Sequence, residues 1–137
     1  FISMASPQIQ KSLAVITILI VIGHALGLYA SLYENIPYYD SPMHFLGGVW
    51  ASLIIIAFWG RFFEPLNLER SFGNALKIAG IVLTIGLLWE LFEFSLYSLH
   101  AQFGIGGYEA MELGDTLKDL VLDWLGGITV FLAFVKR

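Results

Sequence analysis

Two carboxylates inside an otherwise apolar stretch limit what this chain can become more than any other feature in it. From about residue 75 to 99 the sequence reads as one long hydrophobic helix, with Glu90 and Glu93 in its second half within Trp-Glu-Leu-Phe-Glu. A carboxylate taken out of water needs a proton, a cation or a water-filled space beside it. The residues able to answer that need are His24, the pair Asp40 and His44, and the ladder Asp115, Asp119 and Asp123.

Composition sets the medium. The chain has 137 residues, room for one domain, and is 58% hydrophobic and 13% charged. Its mean hydropathy is +0.77. A water-soluble domain of this size would have too little polar surface to cover itself, so the expected class is all-α and polytopic in the membrane. Four segments are long enough to cross a hydrocarbon core of about 30 Å: residues 12–33, 42–60, 75–99 and 116–135. The first is too long for the apolar core of a signal peptide and is not followed by a small-residue cleavage pattern. Met4 reads as the natural start, and the three residues before it are left out of the fold reading. The absence of cysteine excludes disulfides, thiolate nucleophiles and cysteine-ligated metals. A net charge of −4 without a basic patch excludes nucleic acid as the expected partner.

Small residues indicate which helix faces meet. Gly23 and Gly27 form a small-xxx-small pair beside His24, and Gly47, Gly48 and Ala51 continue the face that carries His44. Asp40 or Ser41 can cap the second helix, with Pro42 in its first turn. Tyr38 and Tyr39 suit a membrane–water boundary. In the third helix Ala79, Gly86, Glu90 and Glu93 share one face, so the acids turn toward packed neighbours rather than lipid. Residues 100–114 form a glycine-rich loop, with Gly106, Gly107, Glu109 and Glu112, long enough to fold back as a lid. Asp115 reads as the N-cap of the last helix, along which Asp119, Asp123 and Gly127 make a stripe.

Four spans place both termini on one side. Lys11, Arg61, Arg70, Lys77, Lys136 and Arg137 then share that side, and Lys118 alone lies opposite. The bias predicts both termini in the cytoplasm and a location in the inner (cytoplasmic) membrane. At a rise of about 1.5 Å per residue, His24 lies roughly 13 Å below the outer end of its helix, Glu90 and Glu93 roughly 13 and 9 Å down, and Asp119 and Asp123 roughly 6 and 12 Å below Asp115. His44 is about one turn in. Six costly residues on four helices therefore reach overlapping depths in the outer half.

Four buried carboxylates cannot all ionise side by side without compensating positive charge, and Lys118 is the one basic residue expected nearby. The preferred answer is a divalent cation. Carboxylates with one or two imidazoles suit Mg²⁺, Mn²⁺, Fe²⁺, Ca²⁺ or Zn²⁺, and helical bundles hold metals with inward-projecting acids and histidines. The spacing is not the Glu-x-x-His of di-iron proteins. His44, Glu90, Glu93, Asp119 and Asp123 are the expected ligands. His24 is the expected general base, and Asp40 or Asp115 at the rim would orient a substrate or a histidine. The corresponding activity is a metal-dependent hydrolase or transferase acting on a lipid or cell-envelope substrate. Other classes remain open: a proton- or cation-translocating transporter or channel, in which a homo-oligomer would make the better conduit, and a cation-stabilised structural or sensory bundle. Haem between His24 and His44 is disfavoured by the surrounding acids. Polar groups that merely join helices are the bland reading, and six at one depth exceed what joining requires.

Tyr39-Asp40 with His44 and Gly47-Gly48, Trp89-Glu90 with Glu93, and Asp115-Thr116 with Asp119, Asp123 and Gly126-Gly127 together resemble the YjdF-like family of small bacterial inner-membrane proteins of unknown function. A fainter similarity links them to VanZ-like membrane proteins. The resemblance covers the second to fourth helices, and relative to that family the chain reads as short, without additional N-terminal spans. It implies a membrane protein with a site on these residues and does not name a reaction.

Overall fold

The computed structural model describes residues 6–62, 68–103 and 112–135. Every element among them is helical: α1 (Pro7–Tyr29), the one-turn α2 (Leu32–Asn35), α3 (Asp40–Phe62), α4 (Phe72–Phe103) and α5 (Leu113–Phe134). Three segments, Pro7–Tyr29, Asp40–Trp59 and Phe72–Phe103, are long and apolar enough to cross a membrane. The fourth expected span, residues 116–135, lies on α5. That helix has the length, at 22 residues, but Asp115, Lys118, Asp119 and Asp123 make it more polar than the other three.

Helix boundaries depart from the sequence expectation for local reasons. α1 starts at Pro7, where a missing N–H costs nothing, and Ser6 accepts the Ile9 amide. It ends at Tyr29, not at residue 33, because Ser31 turns the chain with a φ of 50°. The turn folds α2 back so that Tyr33 and Tyr39 lie over Gly27, where any Cβ would overlap both rings. The Tyr39 hydroxyl donates to the Gly23 carbonyl at 2.8 Å, fixing this strap to α1. A second left-handed residue, Tyr38 at φ 62°, directs the chain into α3.

α3 begins at Asp40, so that residue lies within the first turn instead of before it. α4 extends past both ends of the expected 75–99 segment; its 32 residues measure about 48 Å against a hydrocarbon core of about 30 Å. The expected 100–114 loop is thereby shortened. Its lid reading falls on residues 104–111, with Gly106, Gly107 and Glu109, which lie outside the described residues. α5 starts two residues before Asp115, with Glu112 at the cap position and no side-chain capping bond. Asp115 is therefore not the N-cap. It occupies the first turn, where it pairs with Lys118 three residues on, as a helix surface favours.

The tightest packing joins α3 to α5. A Cβ on Gly48 would run into the backbone of Asp123, and one on Gly126 into the Phe45 carbonyl and the Val49 amide. Glycine here permits a backbone-to-backbone approach that no other residue allows. The Ser52 hydroxyl donates to the Gly127 carbonyl across the same seam. α4 closes on this pair through Val82 against Gly127 and Gly86 against Asp123. Toward the far ends of α3 and α5 the bundle is filled by Ala51, Ile55, Trp59, Ile78, Val82, Phe131 and Val135. α1 lies outside, against α3, tied by the Trp50 indole N–H donating to the Thr17 hydroxyl at 2.9 Å. The apolar core thus occupies one half of the bundle and leaves the other to polar groups.

Candidate functional site

His44 is 4% exposed and stands where α3, α4 and α5 meet. Four carboxylates surround its ring. Nε2 faces Asp40 Oδ2 at 3.1 Å, Glu90 Oε1 at 3.7 Å and Asp119 Oδ2 at 4.0 Å. Nδ1 lies 3.4 Å from Asp123 Oδ2 on the other side. Helical periodicity accounts for each placement. Asp40 is one turn before His44 on α3, Glu90 and Glu93 share a face of α4, and Asp119 and Asp123 are one turn apart on α5. The glycines bring them close, since a Cβ at Gly86 would strike the Asp123 carboxylate and one at Gly47 would touch it.

Two groups of side chains offer ligand atoms that all lie within 4.8 Å of one another: Asp40, His44 and Asp119, and His44, Glu90 and Glu93. They share His44. Ligands held about 2.1 Å from an octahedral cation stand about 3 Å apart when adjacent and about 4 Å apart when opposite, the range seen around Nε2. Glu90 Oε1 and Asp119 Oδ1 are buried without a hydrogen bond, and buried His44 Nε2 has the Asp40 carboxylate as a partner only when that nitrogen carries a proton. Asp119 Oδ1 has the Lys118 ammonium 3.4 Å away, a long ion pair. Lys118 is committed mainly to Asp115, at 2.5 Å. Among the described residues, Asp40, Glu90, Glu93, Asp119 and Asp123 thus share only His44 and part of Lys118 as sources of positive charge. Buried polar atoms without partners cost free energy that a bound cation would recover.

The remaining expected site residues divide between the cluster and its surroundings. Asp123 is close to His44 but on the Nδ1 side, away from both ligand groups, where it can accept the ring N–H and fix the tautomer. Asp40, assigned to the rim, is the nearest carboxylate to Nε2. Asp115 is exposed on α5 and engaged with Lys118. His24 stands apart from the cluster on α1, its Nδ1 joined to the Tyr33 hydroxyl by a 2.8 Å hydrogen bond. Burial, then the nearby Asp40, pushes the Tyr33 hydroxyl well above the usual tyrosine range, so it stays protonated.

Between α1, α3 and α4 lies a cavity of about 600 Å³. Its polar lining comes from His24, Tyr33, Asp40, His44, Glu93 and Asp123, and most of its remaining wall is aliphatic or aromatic. The cluster therefore borders a space large enough for a small molecule. Sequence reasoning treated Tyr39 as an interface residue and did not single out Tyr33, Met43 or Trp50. The only signal for them was the small-residue pair Gly23 and Gly27, which marks where something large must pack on α1.

A family model described as "Predicted membrane protein (DUF2238)" matches residues 3–137. No curated protein and no solved structure matches the chain.

Proposed function

The chain belongs to the DUF2238 family of predicted membrane proteins, and from that premise we propose that it is a metal-dependent membrane protein whose cluster around His44 holds one divalent cation. The observation that carries this reading is the convergence of the buried atoms His44 Nε2, Glu90 Oε1 and Asp119 Oδ1, the two carboxylate oxygens without hydrogen bonds, in a site with more acids than bases. His44, Asp40, Glu90, Glu93 and Asp119 are the proposed ligands, and Asp123 orients the imidazole. The set is hard to borderline, which favours Mg²⁺, Mn²⁺, Fe²⁺, Ca²⁺ or Zn²⁺. When bound, such an ion supplies a Lewis acid for a phosphoryl or carbonyl group. His24 lines the same cavity as the cluster and is the proposed proton acceptor.

Hydrolysis or transfer on a lipid or cell-envelope substrate fits a polar cluster that opens on an apolar cavity. In this reading α5 is the fourth span, both termini are cytoplasmic, the membrane is the inner membrane and the cluster faces outward. The resemblance to YjdF-like proteins, and more faintly to VanZ-like ones, rests on the same residues. A cation or proton pathway needs polar groups through the rest of the bundle, and the core there is Ala51, Ile55, Ile78 and Val82. That makes transport the weaker reading.

The test is elemental analysis by mass spectrometry of protein purified in detergent without chelator, beside Glu90→Gln. About one equivalent of metal in the wild type, lost in the variant, is expected. A folded wild type that binds no divalent ion on titration refutes the site. Phosphate-ester and acyl-ester lipids in vesicles, with and without chelator, then identify the reaction.

A further inference from the structure

We propose that the cavity between α1, α3 and α4 seats the acyl chain of a membrane lipid, which enters sideways between α1 and α4 with its polar end at the His44 cluster. The inference deepens the reading above by naming the apolar part of the substrate. It starts from how α1 is held. Tyr39, in the strap just before α3, donates to the Gly23 carbonyl, and Trp50 of α3 donates to the Thr17 hydroxyl, so α1 is tied down at two levels. The packing of α1 is against α3 and α2, while α4 closes mainly on α5 and α3. The gap between α1 and α4 is the side of the cavity left open.

What fills such a space follows from its chemistry. Ile20, Val21 and Leu28 from α1, Met43 from α3, and Val82 and Ile85 from α4 offer no hydrogen-bonding side chain, so ordered water has little to hold it. An empty space of about 600 Å³ would leave these side chains without dispersion partners. Both helices beside the gap are apolar enough to cross a membrane, and the medium outside them is hydrocarbon. The polar groups of the lining, His24, Tyr33, Asp40, His44, Glu93 and Asp123, suit the headgroup end of the same molecule. One amphiphile satisfies both surfaces.

The experiment uses the full chain in phosphatidylethanolamine–phosphatidylglycerol vesicles that contain phospholipids with a diazirine near the start or near the end of an acyl chain, to report on the Met43 and Trp50 levels respectively. Irradiation and proteolysis map the adducts. Met43 and Trp50 are half-buried on α3 behind α1 and should be labelled, along with outward residues such as Leu19 and Ile22. Ala25 lines the cavity yet is exposed, so Ala25→Trp fills the space without entering the core. Loss of label at Met43 and Trp50 in this variant is expected, with Leu19 labelling retained. Leu26→Trp, on the exposed outer side of the same helix, should keep the full pattern. No wild-type label at Met43 and Trp50, label that persists in Ala25→Trp, or a cross-link to a second copy in the gap would each overturn the proposal. Metal content separates the two readings. Label lost in Ala25→Trp with a metal-free wild type upholds the lipid seat without the metal, and bound metal without label does the reverse.

Discussion

The two ring nitrogens of His44 meet different carboxylates. If Nδ1 carries the proton shared with Asp123, then Nε2 presents a lone pair to Asp40, Glu90 and Asp119. A lone pair facing carboxylate oxygens is repulsive unless a second ring proton or a cation lies among them. Asp123 and Glu90 should therefore fail differently when neutralised. Asp123→Asn removes the orienting charge and keeps the ligands, so metal affinity should fall about 10–100-fold, the usual cost of losing a group that positions a ligating histidine. Glu90→Gln removes a ligand and should abolish binding. Calorimetric titration of the metal-stripped proteins measures both, and equal losses would mean that Asp123 is itself a ligand. Much of this cluster was legible in the sequence, because Glu90 with Glu93 and Asp119 with Asp123 follow helical spacing. The side of the His44 ring that Asp123 meets was not, since periodicity gives a face but not which nitrogen of a distant ring that face meets. The closeness of Asp40 to Nε2 was less legible, because helix α3 begins two residues earlier than its proline suggests and so holds Asp40 and His44 one turn apart in the same helix.

The helices themselves were legible as apolar runs, and their ends were not. Ser31 breaks α1 through a left-handed turn that nothing in its neighbours demands, and the Tyr33–His24 bond depends on that turn. The glycine seam is the element-scale feature that fixes relative position, and it makes a paired prediction. Gly48→Ala places a methyl group in the Asp123 backbone, so the helices must part, at a cost of about 1–3 kcal/mol. Gly80 lies on α4 with open space around it, so Gly80→Ala should leave stability unchanged or slightly raised. Thermal unfolding in detergent distinguishes them, and a harmless Gly48→Ala would dissolve the α3–α5 contact. Arg70 acts at the far end of that pair. Its guanidinium donates to the carbonyls of Leu132 and Val135 and offsets the negative end of α5. Arg70→Ala should cost about 1 kcal/mol in the same assay and leave metal content intact.

Taken as a whole, the bundle joins a well-packed apolar half to a half that carries most of its unbalanced charge, and this asymmetry decides what the acids are for. If Glu90 and Asp119 were there only to bind helices together, replacing them with amides would weaken the protein under every condition. If they are there to hold a cation, the outcome depends on whether the cation is bound. Without metal, the wild type must confine Asp40, Glu90, Glu93, Asp119 and Asp123 around one imidazole, and removing two of those charges relieves repulsion. With metal, the wild type gains binding energy that the variant cannot, about 2.7 kcal/mol when the free ion stands at one hundred times its dissociation constant. The two melting curves should therefore cross. In chelator, Glu90→Gln/Asp119→Asn should melt higher than the wild type; in saturating divalent ion it should melt lower, and its own midpoint should not respond to metal. For a chain of this length the metal-dependent shift of the wild type is on the order of ten degrees. A double variant that melts below the wild type in both conditions would assign these carboxylates to helix packing.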